Sequence, residues 1–194
     1  MALNRYYYPT KYKSRADVVA LGVKCVFISH QKNDKEEAKK IADYLMTAGI
    51  DVYFDEYDTD LKLQHQSNNA TGVTTAICNG INNSSHMLVL VSPHTMNSVW
   101  VPFEIGFGYD KTDLAALCLK GIPSGGLPEY IKAVKVIRDI WDLNTLVSNF
   151  SGKNKETLVE AKVIRDYSDI YNPLSNVMDR LVTKKKLNTY YEMG

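Results

Sequence analysis

Between Ser85-His86 and Ser92-Pro93 lies an uninterrupted apolar pentapeptide, Met87-Leu88-Val89-Leu90-Val91. Five residues are too few for a buried helix. They are also too uniformly apolar for a strand with one face in water. The run therefore predicts a strand covered on both faces, the habit of parallel sheets. The flanking sequence repeats the pattern. Cys25 to Ile28 is a similar run that ends at Ser29-His30. Asp34 and Glu37 after it form a capping-box pattern. Ala38, Ile41, Ala42, Leu45 and Met46 then mark one buried helical face. Gly49 sits where a left-handed helix cap is needed. Ile50 to Phe54 predicts a second strand, closed by Asp55, and residues 56–70 a long polar loop. A helix is predicted over 71–81, and Met87 to Val91 is the third strand. Asn97 or Ser98 caps a helix reaching Tyr109, with Pro102 tolerated in its first turn. Leu114 to Leu119 and Val134 to Ile137 are the fourth and fifth strands. A Gly/Pro loop with one short helical turn separates them. Helices are predicted near 142–150, 156–166 and 173–185, with "SGKNKE" read as a linker.

Strands alternating with helices imply right-handed crossovers and an all-parallel sheet. The expected fold is α/β and flavodoxin-like: five parallel strands, helices on both faces, and a C-terminal helical addition. The 194 residues divide into an N-terminal arm (1–22), a main domain (23–150) and a C-terminal helical extension (151–194). With 23 basic against 22 acidic side chains, neither nucleic acid nor an anionic membrane is expected as partner. Lys184-Lys185-Lys186 reads as the solvated end of a last helix. Cys25, Cys78 and Cys118 lack metal or redox spacing and read as free thiols beside apolar runs. The absence of a leader-like or membrane-length apolar run suggests a cytoplasmic protein.

Ligands of open parallel sheets bind outside the carboxyl ends of the strands. Those ends carry Ser29, His30 and Asn33, then Asp55, then Ser92, Pro93 and His94. Glu104 lies in the helix that opens next, with Trp100 one turn before it on the same face. These residues are expected to meet at one crevice, with the acid facing a pocket and the tryptophan as a wall. Each also has a plain structural role open to it. Glu104 could be solvated or paired, Trp100 and Phe107 could be core, Asp55 could end its strand, and Ser29 could satisfy nearby backbone groups. His30 and His94 have no third ligand at metal spacing, so no metal is expected. No phosphate loop, nucleophile elbow or dinucleotide fingerprint is present, and kinase-like, hydrolase-like and ordinary dehydrogenase readings fall away.

"CVFISH" resembles box 1 of TIR (Toll/interleukin-1 receptor) domains. "GIDVYFDE" resembles their second strand, and "MLVLVSPHTMNSVWVPFE" their third strand, its Ser-Pro exit and the W-x-x-x-E segment of NAD-cleaving members. The resemblance covers roughly residues 23–150. His30 in box 1 and the C-terminal helices look most like bacterial TIR-like proteins, above all the TIR proteins of Thoeris anti-phage defence. The resemblance implies a catalytic Glu104, with Ser29, Asp55 and Trp100 around the substrate and residues 56–70 as a mobile gate; His30 and Ser92 join the expected substrate-binding set from their place at the strand ends. NAD-hydrolysing eukaryotic relatives carry basic residues straight after box 1. This chain has only Lys32 there, so its grip on phosphate and its product are expected to differ from theirs.

The resemblance further implies cleavage of the nicotinamide–ribose bond of NAD, which is the substrate; no cofactor or metal is expected. The product would be a cyclic ADP-ribose-type signal that reaches a separate effector protein. Further copies of the chain are an open possibility as partners. Two rival readings remain at this stage: a non-catalytic TIR module that signals by self-association, and a nucleoside deoxyribosyltransferase-like enzyme, whose related sheet also uses a glutamate. A flavodoxin-like solute binder is disfavoured because no Ser/Thr-rich phosphate loop follows the first strand.

Overall fold

The computed structural model describes residues 2–7, 22, 24–54, 70–123 and 126–182. Asp55, the polar loop up to residue 69 and the Lys184–Lys186 run lie outside the described residues. The strands are β1 (Cys25–Ser29), β2 (Asp51–Tyr53), β3 (His86–Val91), β4 (Asp113–Cys118) and β5 (Lys135–Ile137). They form one parallel sheet in the order β2-β1-β3-β4-β5. The expected five-stranded doubly wound sheet is therefore present. The strand order reverses between β1 and β3, and there the helices that follow the two strands diverge to opposite faces.

The α-helices are α1 (Lys35–Thr47), α2 (Ala70–Asn82), α3 (Trp100–Gly108), α4 (Glu129–Lys132), α5 (Ile140–Ser151) and α6 (Lys155–Glu160). Alternate strand residues feed two separate cores. Val26, Ile28, Leu88, Leu90, Ala115 and Leu117 pack with α1 and α5. Phe27, Met87, Val89, Val91, Ala116 and Cys118 pack with α2 and α3. That double coverage is why the strands read as continuous apolar runs. Gly49 ends α1 at φ +85°, the left-handed turn its position called for. A Cβ on Gly108 would lie 2.6 Å from the Met87 sulfur, so this glycine lets the end of α3 press onto β3.

The start of the chain lies along the outer edge of β2. The Val52 amide donates to the Leu3 carbonyl (3.0 Å), and Asn4 forms a parallel bridge to Val52. The Asn4 side chain takes both backbone groups of Phe54 (2.8 and 3.1 Å). Arg5 and Asp51 form a buried ion pair (3.0 Å).

Beyond α5 the outcome differs from expectation. Of the two helices predicted there, the first forms as the short α6, and the described residues 161–182 contain turns and no further α-helix. Asp166, Asp169 and Asn172 each accept a backbone amide two residues on, at 2.8–2.9 Å, which competes with helical hydrogen bonding. This segment is not peripheral. Leu158, Ile164, Leu174, Val177 and Met178 join the α1/α5 core. Cys25 and Cys118 are buried and no disulfide joins the three cysteines; burial pushes the Cys25 thiol up to about 12. No helix among the described residues is long and apolar enough to cross a membrane.

Candidate active site

The exits of β1 and β3 bring the candidate residues together. Ser29 is the last residue of β1 and is buried to 1% exposure. Glu104 lies at the middle of α3 and is 7% exposed. The Ser29 hydroxyl donates to Oε2 of Glu104. The glutamate is thus buried against a hydroxyl and not solvated. Among the described residues no basic side chain forms a salt bridge with it. Burial pushes its carboxyl from an ordinary 4.5 up to about 7, against a lowering by the Ser29 hydrogen bond. An acid poised there can exist charged or neutral near pH 7 and responds strongly to any charge placed beside it.

The helix that carries Glu104 starts slightly later than expected, with Val99 and not Asn97 or Ser98 at the cap position and no capping bond from its side chain. Ser98 accepts the Val101 amide (3.2 Å), and Pro102 falls in the first turn, where no helical donor is lost. Trp100 opens α3 half-buried, with the edge of its ring against Phe103 at 6.1 Å between centroids. Phe103 in turn stacks on Phe107. Phe103 is partly exposed, so an aromatic row runs along the outside of α3 beside the acid.

His30 follows Ser29. Its Nδ1 lies 3.3 Å from the Ile28 carbonyl, and its ring packs against Phe54. Ser92 follows β3 and is buried at 2% exposure. It donates to Asp34 Oδ2 (2.5 Å). Its oxygen accepts the amides of His94 (3.0 Å) and Thr95 (3.3 Å). Burial pushes the Asp34 carboxyl up, opposed by the Ser92 hydrogen bond. Asp34 stands at the cap position of α1 as predicted, but its side chain makes no capping bond. The capping box is therefore not formed; the carboxylate crosses to Ser92 instead. Ser29 and Glu104 are thus in direct contact, with His30 and Ser92 on the same strand exits. Asp55, expected at the neighbouring exit, lies outside the described residues. Asp34 and Thr95 were not foreseen as part of this rim. Their only signal was position, each within six residues of a strand end.

A family model described as "TIR domain" matches residues 26–150. The chain belongs to the TIR domain family. The match covers the sheet and all the residues just described. Similar solved structures include a metazoan TIR-STING receptor from C. gigas in complex with 2′,3′-cGAMP, at 21% identity and a TM-score of 0.49. That likeness covers 66% of this chain and 39% of the receptor chain. Another is a structure described as a metazoan TIR-STING receptor from C. gigas, at 17% identity, 66% and 38% coverage and a TM-score of 0.44. This TIR chain thus corresponds to well under half the length of those receptors. No curated protein matches it.

Proposed function

We propose that this TIR domain cleaves the nicotinamide–ribose bond of NAD and closes the remaining fragment into a cyclic ADP-ribose-type signal. In this reading the signal activates a separate effector protein in anti-phage defence, as the likeness to Thoeris TIR proteins suggests. The observation that carries the proposal is the buried Ser29–Glu104 pair at the reversal point of the sheet. NAD cleavage, frequent among TIR domains, needs one carboxylate in such a place.

The bond between C1′ of the ribose and the pyridinium nitrogen breaks with its electron pair going to nitrogen, so nicotinamide leaves neutral. No acid is needed to protonate it. The ribosyl fragment develops oxocarbenium character. Ionised Glu104 stabilises that charge and can hold the ribose hydroxyls. Its raised pKa matters here, because the incoming pyridinium favours the ionised form in a site where water does so poorly. Trp100 and Phe103 offer apolar surface that limits water. A nucleophile on the tethered adenosine half then attacks C1′. It benefits from an effective concentration that reaches about 10⁵ M in well-oriented cases. Capture within the molecule gives a product with the mass of NAD minus nicotinamide; capture by water gives linear ADP-ribose, one water heavier.

The test is mass spectrometry of NAD incubated with the purified chain, with and without extract from phage-infected cells. The expected result is nicotinamide together with the cyclic isomer. Dominant linear ADP-ribose would replace the cyclase with a hydrolase. No nicotinamide under either condition would overturn the enzymatic reading in favour of a self-associating module.

A further inference from the structure

Two hydroxyl–carboxylate pairs cross the gap between β1 and β3, and they are reciprocal. Ser29 ends β1 and donates to Glu104 in the helix that follows β3. Ser92 follows β3 and donates to Asp34, the residue that opens the helix following β1. An aspartate at a helix start ordinarily accepts one of the first free amides, a stabilising contact. Asp34 forgoes it, although it stands in the right place. Asp34 and Ser92 are both buried, at 4% and 2% exposure.

The consequence lies on the far side of Ser92. Its oxygen fixes the amides of His94 and Thr95. The Thr95 hydroxyl donates to the Leu90 carbonyl and accepts the Ser92 amide, both at 2.9 Å. Thr95 is fully buried. The turn 92–95 is therefore knotted to the end of β3 and tied across the crevice to α1. The chain passes from it through one 3-10 turn, Thr95–Asn97, directly into α3, which carries Trp100 and Glu104.

We propose that Asp34 is a positioning residue for Glu104: through Ser92 it holds the turn that aims α3, and so sets where the catalytic carboxylate meets Ser29. On this account the Ser92 hydroxyl serves the frame of the site, because its single proton goes to Asp34. The inference rests on the NAD-cleaving reading for its kinetic test, and a second readout separates the two. Trp100 and Trp141 are the only tryptophans. In a Trp141→Phe background the emission of Trp100 reports the start of α3 without any reaction.

The experiment compares Asp34→Ala, Ser92→Ala, their double variant and Asp34→Asn. A displacement of the carboxylate should lower kcat by about tenfold or more in each alanine variant. KM for NAD should change by less than about threefold, since the loss falls on the reacting geometry and not on general binding. The double variant should be no worse than either single one, because both break one link. Asp34→Asn should recover most of the rate, since its amide oxygen still accepts the Ser92 hydroxyl. Trp100 emission should shift in the alanine variants and return in Asp34→Asn. Asparagine as damaging as alanine would overturn the proposal, because the charge itself would then act. So would additive losses, or a lowered Tm with unchanged kcat and emission. If wild-type protein cleaves no NAD, the functional reading fails, and the emission pattern alone decides whether the link aims α3.

Discussion

At the amino ends of the strands Asp51 is buried against a guanidinium, whereas at the carboxyl ends Glu104 is buried against a hydroxyl. The Arg5–Asp51 pair answers charge with charge, and the Leu3 amide adds a further bond at 2.9 Å. His86, at the start of β3, follows a different route to the same end. Burial pushes it down to about 4, so it is neutral near pH 7, with Ser85 at 2.7 Å from Nδ1 and Phe150 against its ring. At the other end the hydroxyls of Ser29 and Ser92 supply hydrogen bonds but no compensating charge. What the contrast teaches is how to tell a structural acid from a poised one. An acid held by a cation gains little from a cationic ligand. Glu104, held by a hydroxyl, has no ion pair among the described residues, and the pyridinium of NAD would bring a positive charge.

The largest expected effect breaks the amino-terminal half of the comparison. Asp51→Ala leaves Arg5 buried without its carboxylate and should cost roughly 3–5 kcal/mol in unfolding free energy. Replacing both partners with apolar residues of similar volume should recover much of that, as read by chemical denaturation. Next comes Glu104→Gln, examined for stability. The folded state of the wild type keeps a proton on Glu104 up to about 7, whereas an unfolded chain loses it near 4.5. Folded protein binds more protons in that window, so wild-type stability falls as pH rises through it. The glutamine variant should therefore match the wild type near pH 4 and exceed it at pH 8, by at most on the order of 3 kcal/mol. Denaturant melts at the two pH values measure this; a gain equal at both would refute the buried-charge account.

Ser29→Ala sharpens the other half. Losing its bond should raise the Glu104 pKa further, so activity near pH 7 should drop by about tenfold and partly return at higher pH. A pH profile of nicotinamide release reads this, and a loss that is constant with pH would count against it. The smallest effect concerns Trp100→Ala, which should admit water and move the product ratio toward linear ADP-ribose while total cleavage changes less. An unchanged ratio by mass spectrometry would remove Trp100 as a water barrier.

The sheet was legible because its signals are local. The apolar runs, the Ala38–Leu45 stripe and Gly49 each specify their own segment, and parallel topology follows from their alternation. The Ser29–Glu104 meeting was legible at one remove, since both residues lie where the strand order reverses. Asp34 was not. Its sequence context fits a helix cap equally well, and its partner Ser92 lies 58 positions away. Over 173–182, the described part of the helix predicted for 173–185, no helix forms, for a related reason. The approach to this stretch is rich in Asp, Asn and Ser, whose side chains capture backbone amides before a helix can. Burial of Arg5 with Asp51 was equally hidden, because nothing in a Tyr-rich, basic start says which charge turns inward.

The central claim is that Glu104 is a poised acid whose ionised form drives cleavage of NAD. The most direct test is the initial rate of nicotinamide release from NAD by wild type and Glu104→Gln, followed across the pH range around neutrality. On this account, with NAD well below its KM, where the rate reports the free enzyme, the wild-type rate should rise with pH through a midpoint near 7, and a folded Glu104→Gln protein should be slower by at least about a hundredfold with that rise abolished. Release by Glu104→Gln at the wild-type rate, or a wild-type rate indifferent to pH across that midpoint, would contradict it.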